Sequence, residues 1–322
     1  MKRSMIAVVS LVVVFLAAAP ARASLDDFQT FTTDVSINQQ GGWTVEDCWG
    51  NDFLEGGKPA NLDEQIVNDG TGNIVWRISN AYAYNEYSSQ PFSPTTVLAA
   101  GETGSNLYND YGPDHTHPYS PPHPGGTAET AYFYGAFDFR SATGDAQNGL
   151  TLTVSPSAKQ STVRMSYLKL NDPGSGGFDV LFYGTGAVSD PWAPDTVAVA
   201  SGLAYDEWHT VAMAIQFVDG VRAEGAELYG NDIVKVYVDD ALVYTGTTWE
   251  TYYYGEGEGV TEPRLQAVNS LLFRVAGTAV MGTLDNGFYF DNVDVSNVPE
   301  PATLALLALG GVGLIARRRR GK

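Results

Sequence analysis

The stretch Ile233-Val-Lys-Val-Tyr-Val-Asp-Asp-Ala-Leu-Val-Tyr244 decides the fold. Val234, Val236 and Val238 alternate with Lys235, Tyr237 and Asp239, the period-two pattern of a strand with one dry face and one wet face. Asp239-Asp240-Ala241 then supplies a short polar turn and Leu242-Val243-Tyr244 returns, so the segment reads as an antiparallel hairpin. Just upstream, Val211, Met213, Ile215 and Phe217 alternate with Ala212, Ala214 and Gln216, and Asp219-Gly220 follows as a turn signal for a second hairpin-like run. Working outward, 133–139, 150–154, 163–170 and 178–182 carry strand-like patterns, and Leu271, Phe273 and Val275 mark another. No stretch of ten residues in the body shows a 3.6-residue apolar period, and no repeat of fixed length is present. Eight or more short strands without helical crossovers predict an all-β, two-sheet antiparallel sandwich.

The closing strand adds a detail. Phe288 and Phe290 sit on even positions, whereas Val293 and Val295 sit on odd ones. One strand keeps both pairs on one core only with an extra residue, so either a β-bulge lies near Asp291-Asn292 or the strand is buried on both faces.

Trp208-His-Thr-Val211, then Val234-Lys-Val-Tyr-Val-Asp-Asp240, then Gly246-Thr-Thr-Trp249 resemble the laminin-G-like branch of the concanavalin A-like lectin/glucanase jelly rolls. Gly287-Phe-Tyr-Phe-Asp-Asn-Val-Asp-Val-Ser296 is similar to the last strand of bacterial carbohydrate-binding jelly rolls. The resemblance implies a jelly-roll sandwich over 24–297. It also implies a structural calcium, for which Asp291, Asn292 and Asp294 offer hard oxygen ligands; the competing reading is that these residues are solvated or form a turn.

The chain has 322 residues, 18 basic and 37 acidic, for a net charge of −19. The basic residues crowd into the two ends: between 24 and 297 there are ten against 36 acidic ones, a net charge of −26. That polyanionic body argues against a nucleic-acid partner. A single cysteine, Cys48, excludes an intrachain disulfide and reads as a packed thiol.

Lys2 and Arg3 precede an apolar run over 5–19, and Ala21-Arg22-Ala23 supplies the small residues of a cleavage site. This is a signal peptide, with a signal helix cut by signal peptidase before Ser24. At the other end, the apolar stretch 302–316 is followed by Arg317, Arg318, Arg319, Arg320 and Lys322. As a short helix it reaches only ~22 Å against a hydrocarbon core of ~30 Å. That length suits a transient membrane anchor held with its basic end in the cytoplasm. With Pro299-Glu300-Pro301 ahead of it, the tail over 298–322 resembles the PEP-CTERM sorting signal of Gram-negative bacteria. The resemblance implies recognition by an exosortase, which removes the apolar segment and leaves the body at the cell surface or outside the cell.

Three of the four histidines, His115, His117 and His123, fall in a Gly/Pro/Tyr-rich loop at about 98–127. They suit a transition-metal site or simply a stiff exposed loop. His209, at a strand start, reads as structural. Two aromatic clusters, Trp249 with Tyr252, Tyr253 and Tyr254, and Tyr82 with Tyr84 and Tyr87, offer ring faces for sugars, the alternative being that some members face the core. The laminarinase-type Glu-x-Asp-x-x-Glu pattern is absent, as are Gly-x-Ser-x-Gly and His-Glu-x-x-His. These features favour an exported, non-catalytic polysaccharide-binding sandwich. A carbohydrate-active hydrolase or lyase with an unrecognised site, and a structural matrix protein, are the alternatives.

Overall fold

A computed structural model describes residues 27–46, 54–55, 58–59, 62–82, 90–97, 99–100, 130–158, 164–185, 194–218, 221–224, 227–249, 267–275 and 278–297. Both chain ends, Cys48, residues 101–127 of the predicted loop with its histidines, and the tyrosines at 84, 87 and 252–254 lie outside these residues, while Ala99–Ala100 within the predicted loop pairs as a short strand with Ala267–Val268. Among the described residues there is no helix long and apolar enough to cross a membrane.

Two seven-stranded antiparallel sheets face one another. The first runs, in spatial order, Thr44–Glu46, Gln90–Phe92, Ser270–Arg274, Thr151–Ser157, Tyr167–Asn171, Phe178–Thr185 and Pro194–Leu203. The second runs Ala241–Gly246, Ile233–Val238, His209–Gln216, Tyr132–Ser141, Phe288–Ser296, Ile74–Ser79 and Asp63–Asn68. The C-terminal strands Ser270–Arg274 and Phe288–Ser296 each slot into the interior of a sheet, between strands made much earlier in the chain.

The alternating residues meet between the sheets. Val211, Met213, Ile215, Val234, Val236, Phe137 and Phe290 of the second sheet, and Leu152, Val154, Leu168, Leu170 and Phe273 of the first, are essentially inaccessible. Phe273 is the cross-sheet rivet. Its ring lies 5.1 Å from Trp76, 5.2 Å from Phe290 and 5.8 Å from Phe137, in edge-to-face contacts that suit the ring quadrupole.

The hairpin at 233–244 forms as its pattern requires. Asp239 and Asp240 have φ of 49° and 65°, the two left-handed positions of a tight hairpin loop whose twist matches its strands. The run before Asp219 pairs differently from a local hairpin: His209–Gln216 is flanked by Tyr132–Ser141 and Ile233–Val238, while Val221–Glu224 and Glu227–Gly230 form a small ladder of their own. The phase flip in the closing strand is a β-bulge. Register against Tyr132–Ser141 shifts between Asp291 and Asp294, and Asn292 takes the extra-residue position at φ 49°. Phe288, Phe290 and Val293 therefore all point into one core, and Asp291 and Asp294 are buried on the opposite face.

Candidate functional site

On Tyr167–Asn171 the alternation sends Leu168 and Leu170 inward and leaves Tyr167, Lys169 and Asn171 on the outer face of the first sheet. Register then places Tyr183 directly opposite Tyr167, and the two rings stack at 4.3 Å with 16° between their planes. Trp249 completes the group. Its indole meets Tyr167 edge-on at 5.4 Å, and its Nε1 donates to the Tyr183 carbonyl at 2.9 Å.

The chain leaving the 233–246 hairpin delivers Trp249 here from the other sheet. Thr248 donates its hydroxyl to Asp232, which also accepts the Val218 N–H, and the Trp249 N–H donates to the Met165 carbonyl. Beside the rings stands Arg164, whose guanidinium lies 5.0 Å from the Tyr167 centroid and 5.5 Å from that of Trp249. Arg274 is in register with Thr153, and Thr153 with Lys169, so two further cations lie in one row across the same face.

Burial raises the Tyr167 hydroxyl pKa, while the nearby Arg164 and Arg274 charges pull it back. The net shift is upward, so the phenol stays protonated and available as a donor at neutral pH. Tyr167 has one ring face against Tyr183 and the Arg164 guanidinium over its ring. What this face presents is a cluster of hydroxyl, indole and cationic groups, all half-buried.

On the second sheet, the outer face around Tyr132–Ser141 and Phe288–Ser296 is occupied by its own contacts, while Ile233, Leu242 and Val243 of the hairpin at its edge are exposed. Arg140 pairs with Asp69 at 2.9 Å and lies between the Trp208 and Tyr289 rings, 5.0 and 5.3 Å away. Asp138 accepts the Thr210 hydroxyl at 2.5 Å and the Asn292 side-chain amide at 2.7 Å. Asp291 accepts from the Asn73 amide at 2.9 Å and from the Asn292 N–H at 2.8 Å. Burial is the main reason its pKa is raised; the Asp138 and Asp27 charges add to the rise and these hydrogen bonds oppose it.

The bulge brings Asp291 and Asp294 onto one face with Asp138. Among the described residues there is no group of three or more His, Cys, Asp or Glu side chains placed to hold a metal ion. His209 is tied by Nδ1 to Asp239 at 2.9 Å and by Nε2 to the Ala204 carbonyl at 3.0 Å, a structural clamp on the hairpin turn.

Of the aromatic candidates, Trp249 joins the cluster and Tyr82 is an exposed residue outside it. The sequence reading missed Tyr167, Tyr183, Arg164, Lys169 and Arg274. A signal existed for two of them: the alternation that buries Leu168 and Leu170 puts Tyr167 and Lys169 together on the wet side.

Residues 297–320 match the PEP-CTERM protein-sorting motif. No protein of curated function matches the chain in sequence. Among solved structures, the endo-β-1,4-glucuronan lyase of the fungus Trichoderma reesei is 10% identical, with 86% of this chain and 96% of that one covered and a TM-score of 0.39. A Bacillus licheniformis β-glucanase is 14% identical over 84% of this chain and 100% of its own, TM-score 0.36. An alginate lyase from Pseudomonas aeruginosa is 8% identical over 75% and 87%, TM-score 0.39. The chain thus carries, behind an all-β sandwich body, the sorting motif of exported surface proteins handled by exosortase.

Proposed function

We propose that the body is a non-catalytic polysaccharide-binding sandwich that acts at the cell surface or in the extracellular matrix. In this reading signal peptidase cuts before Ser24, the 302–316 segment holds the precursor transiently in the membrane, and exosortase then removes the tail. The observation that carries the binding role is the stacked pair Tyr167 and Tyr183 on an outward sheet face, with Trp249 edge-on to Tyr167 and packed in part against the core. Phenol hydroxyls beside exposed ring edges suit sugars, whose hydroxyls and C–H edges lie side by side. A glycan array probed with the mature body tests the proposal: retention on an envelope or matrix polysaccharide, lost in Trp249→Ala, supports it. Binding that survives Trp249→Ala and Tyr183→Ala unchanged contradicts the placement of the site, and release of reducing ends or unsaturated sugars contradicts the non-catalytic role.

The calcium expected at Asp291, Asn292 and Asp294 is kept in this proposal as a stabilising ion. What supports it is the resemblance of the closing strand and the placing of Asp291 and Asp294 on one face beside Asp138, although no three acids among the described residues are arranged as a ready-made metal site. A chelator should lower the melting temperature of the body, and Asp291→Ala should remove that sensitivity. An unchanged melting curve in chelator rejects the ion.

A further inference from the structure

The body carries ten basic residues against 36 acidic ones, so any cluster of cations on it is notable. Among the body cations whose side chains are described, Arg77 and Arg140 are tied to Asp63 and Asp69. Lys169, together with Arg164 and Arg274, which have interactions of their own, gathers on the outer face of the first sheet around Tyr167, Tyr183 and Trp249. Asp179, in register with Asn171, is the nearest carboxylate along Phe178–Thr185 on that face, one row beyond Lys169. Adjacent strands are ~4.8 Å apart, so Arg274 and Lys169, two strands apart in one row, start from backbones ~10 Å from each other. They flank a strip long enough to meet more than one sugar residue.

The aromatic geometry points the same way. Tyr167 and Tyr183 stack on each other and Arg164 covers Tyr167, so ring faces are spent inside the cluster. Face-on stacking against a neutral sugar is then a poor use of this surface. Hydrogen bonds from phenol hydroxyls and charge-assisted bonds from guanidinium and ammonium groups suit an anionic oxygen. We propose that Arg164, Lys169 and Arg274, with the Tyr167 and Tyr183 hydroxyls, form a binding site for the anionic groups of an acidic polysaccharide.

This deepens the polysaccharide-binding reading and rests on it. A −26 body repels a polyanion at long range, and at physiological ionic strength that repulsion is screened beyond ~8 Å. Contacts at this face can then decide binding locally, and other faces of the body disfavour the ligand.

The test compares polygalacturonate with the same polymer after carboxyl reduction, which keeps the chain and removes the charge. Dextran sulfate and dextran serve as a second pair that separates carboxylate from sulfate recognition. The mature body should bind at least one acidic polymer ten-fold or more tightly than its neutral counterpart. Lys169→Gln and Arg164→Gln should each cut that preference several-fold and together abolish it, with the melting temperature followed to confirm folding. Lys235→Gln, on the opposite sheet, should leave it intact. Equal affinity for charged and neutral members of both pairs overturns the acidic assignment while leaving polysaccharide binding standing. A preference that survives the double variant also overturns the assignment. Failure to bind these polymers or any glycan on the array defeats both readings.

Discussion

Glu64 is a buried carboxyl whose Oε2 accepts the Ile37 N–H at 3.1 Å and the Trp76 Nε1–H at 3.0 Å. Burial pushes its pKa above the ordinary 4.5, and the hydrogen bonds and the Arg77 charge only partly offset this. A carboxyl with a raised native pKa holds its proton more tightly when folded. Its contribution is therefore full below the unfolded value and fades as pH rises through the folded one. Melting temperature should fall as pH rises from about 4.5 toward neutrality, and Glu64→Gln should flatten that fall while raising stability at pH 7. An identical pH profile in the variant would contradict the role given to this residue. Glu64 also shows why Asp63–Asn68 escaped the sequence reading. Its acids look like loop residues, yet Asp63 forms a buried two-point pair with Arg77 at 2.7 and 2.9 Å, and one Glu64 oxygen, Oε2, takes the N–H groups of Ile37 and Trp76. Those partners are long-range, and no local pattern announces them.

At the scale of elements, alternation was enough where one face is dry and the other wet. It read the 233–244 hairpin correctly, and the phase shift between Phe290 and Val293 narrowed the closing strand to two options, of which the bulge is the one formed. It did not reveal Pro194–Leu203, an edge strand whose described residues are all at least partly exposed and whose apolar residues Val197, Ala198, Val199 and Ala200 follow one another instead of alternating with polar ones. Nor did it reveal the pairing of Tyr167 with Tyr183, because register between strands is a tertiary property. The contact between the sheets centres on Phe273. Phe273→Ala leaves a ring-sized void among Trp76, Phe137 and Phe290 and should cost about 3–5 kcal/mol of unfolding free energy by denaturant titration. A loss under about 1 kcal/mol would show that the aromatic cluster is not what joins the sheets.

For the whole molecule, topology and targeting fit together. Ser270–Arg274 and Phe288–Ser296 lie inside the two sheets, so neither sheet is complete until the last strands before the sorting motif have been delivered. The motif at 297–320 begins one residue after the final strand. Cleavage near Val298 would remove the tail without taking a core residue. The expected outcome in cells is a mature chain from about Ser24 to near Val298 by intact-mass measurement, with a membrane-retained form when Pro299-Glu300-Pro301 is replaced by alanines. A surface protein still ending in Lys322 would contradict processing.

The central claim is that the outer face of the first sheet binds polysaccharide. The most direct measurement is a titration of the folded mature body, wild type and Trp249→Ala, against the polymer retained most strongly on the array. Loss of about 1–3 kcal/mol of binding free energy with an unchanged fold, roughly a ten- to hundred-fold weaker Kd, is the result expected for removing a central aromatic anchor. Equal affinity in the two proteins would contradict the claim.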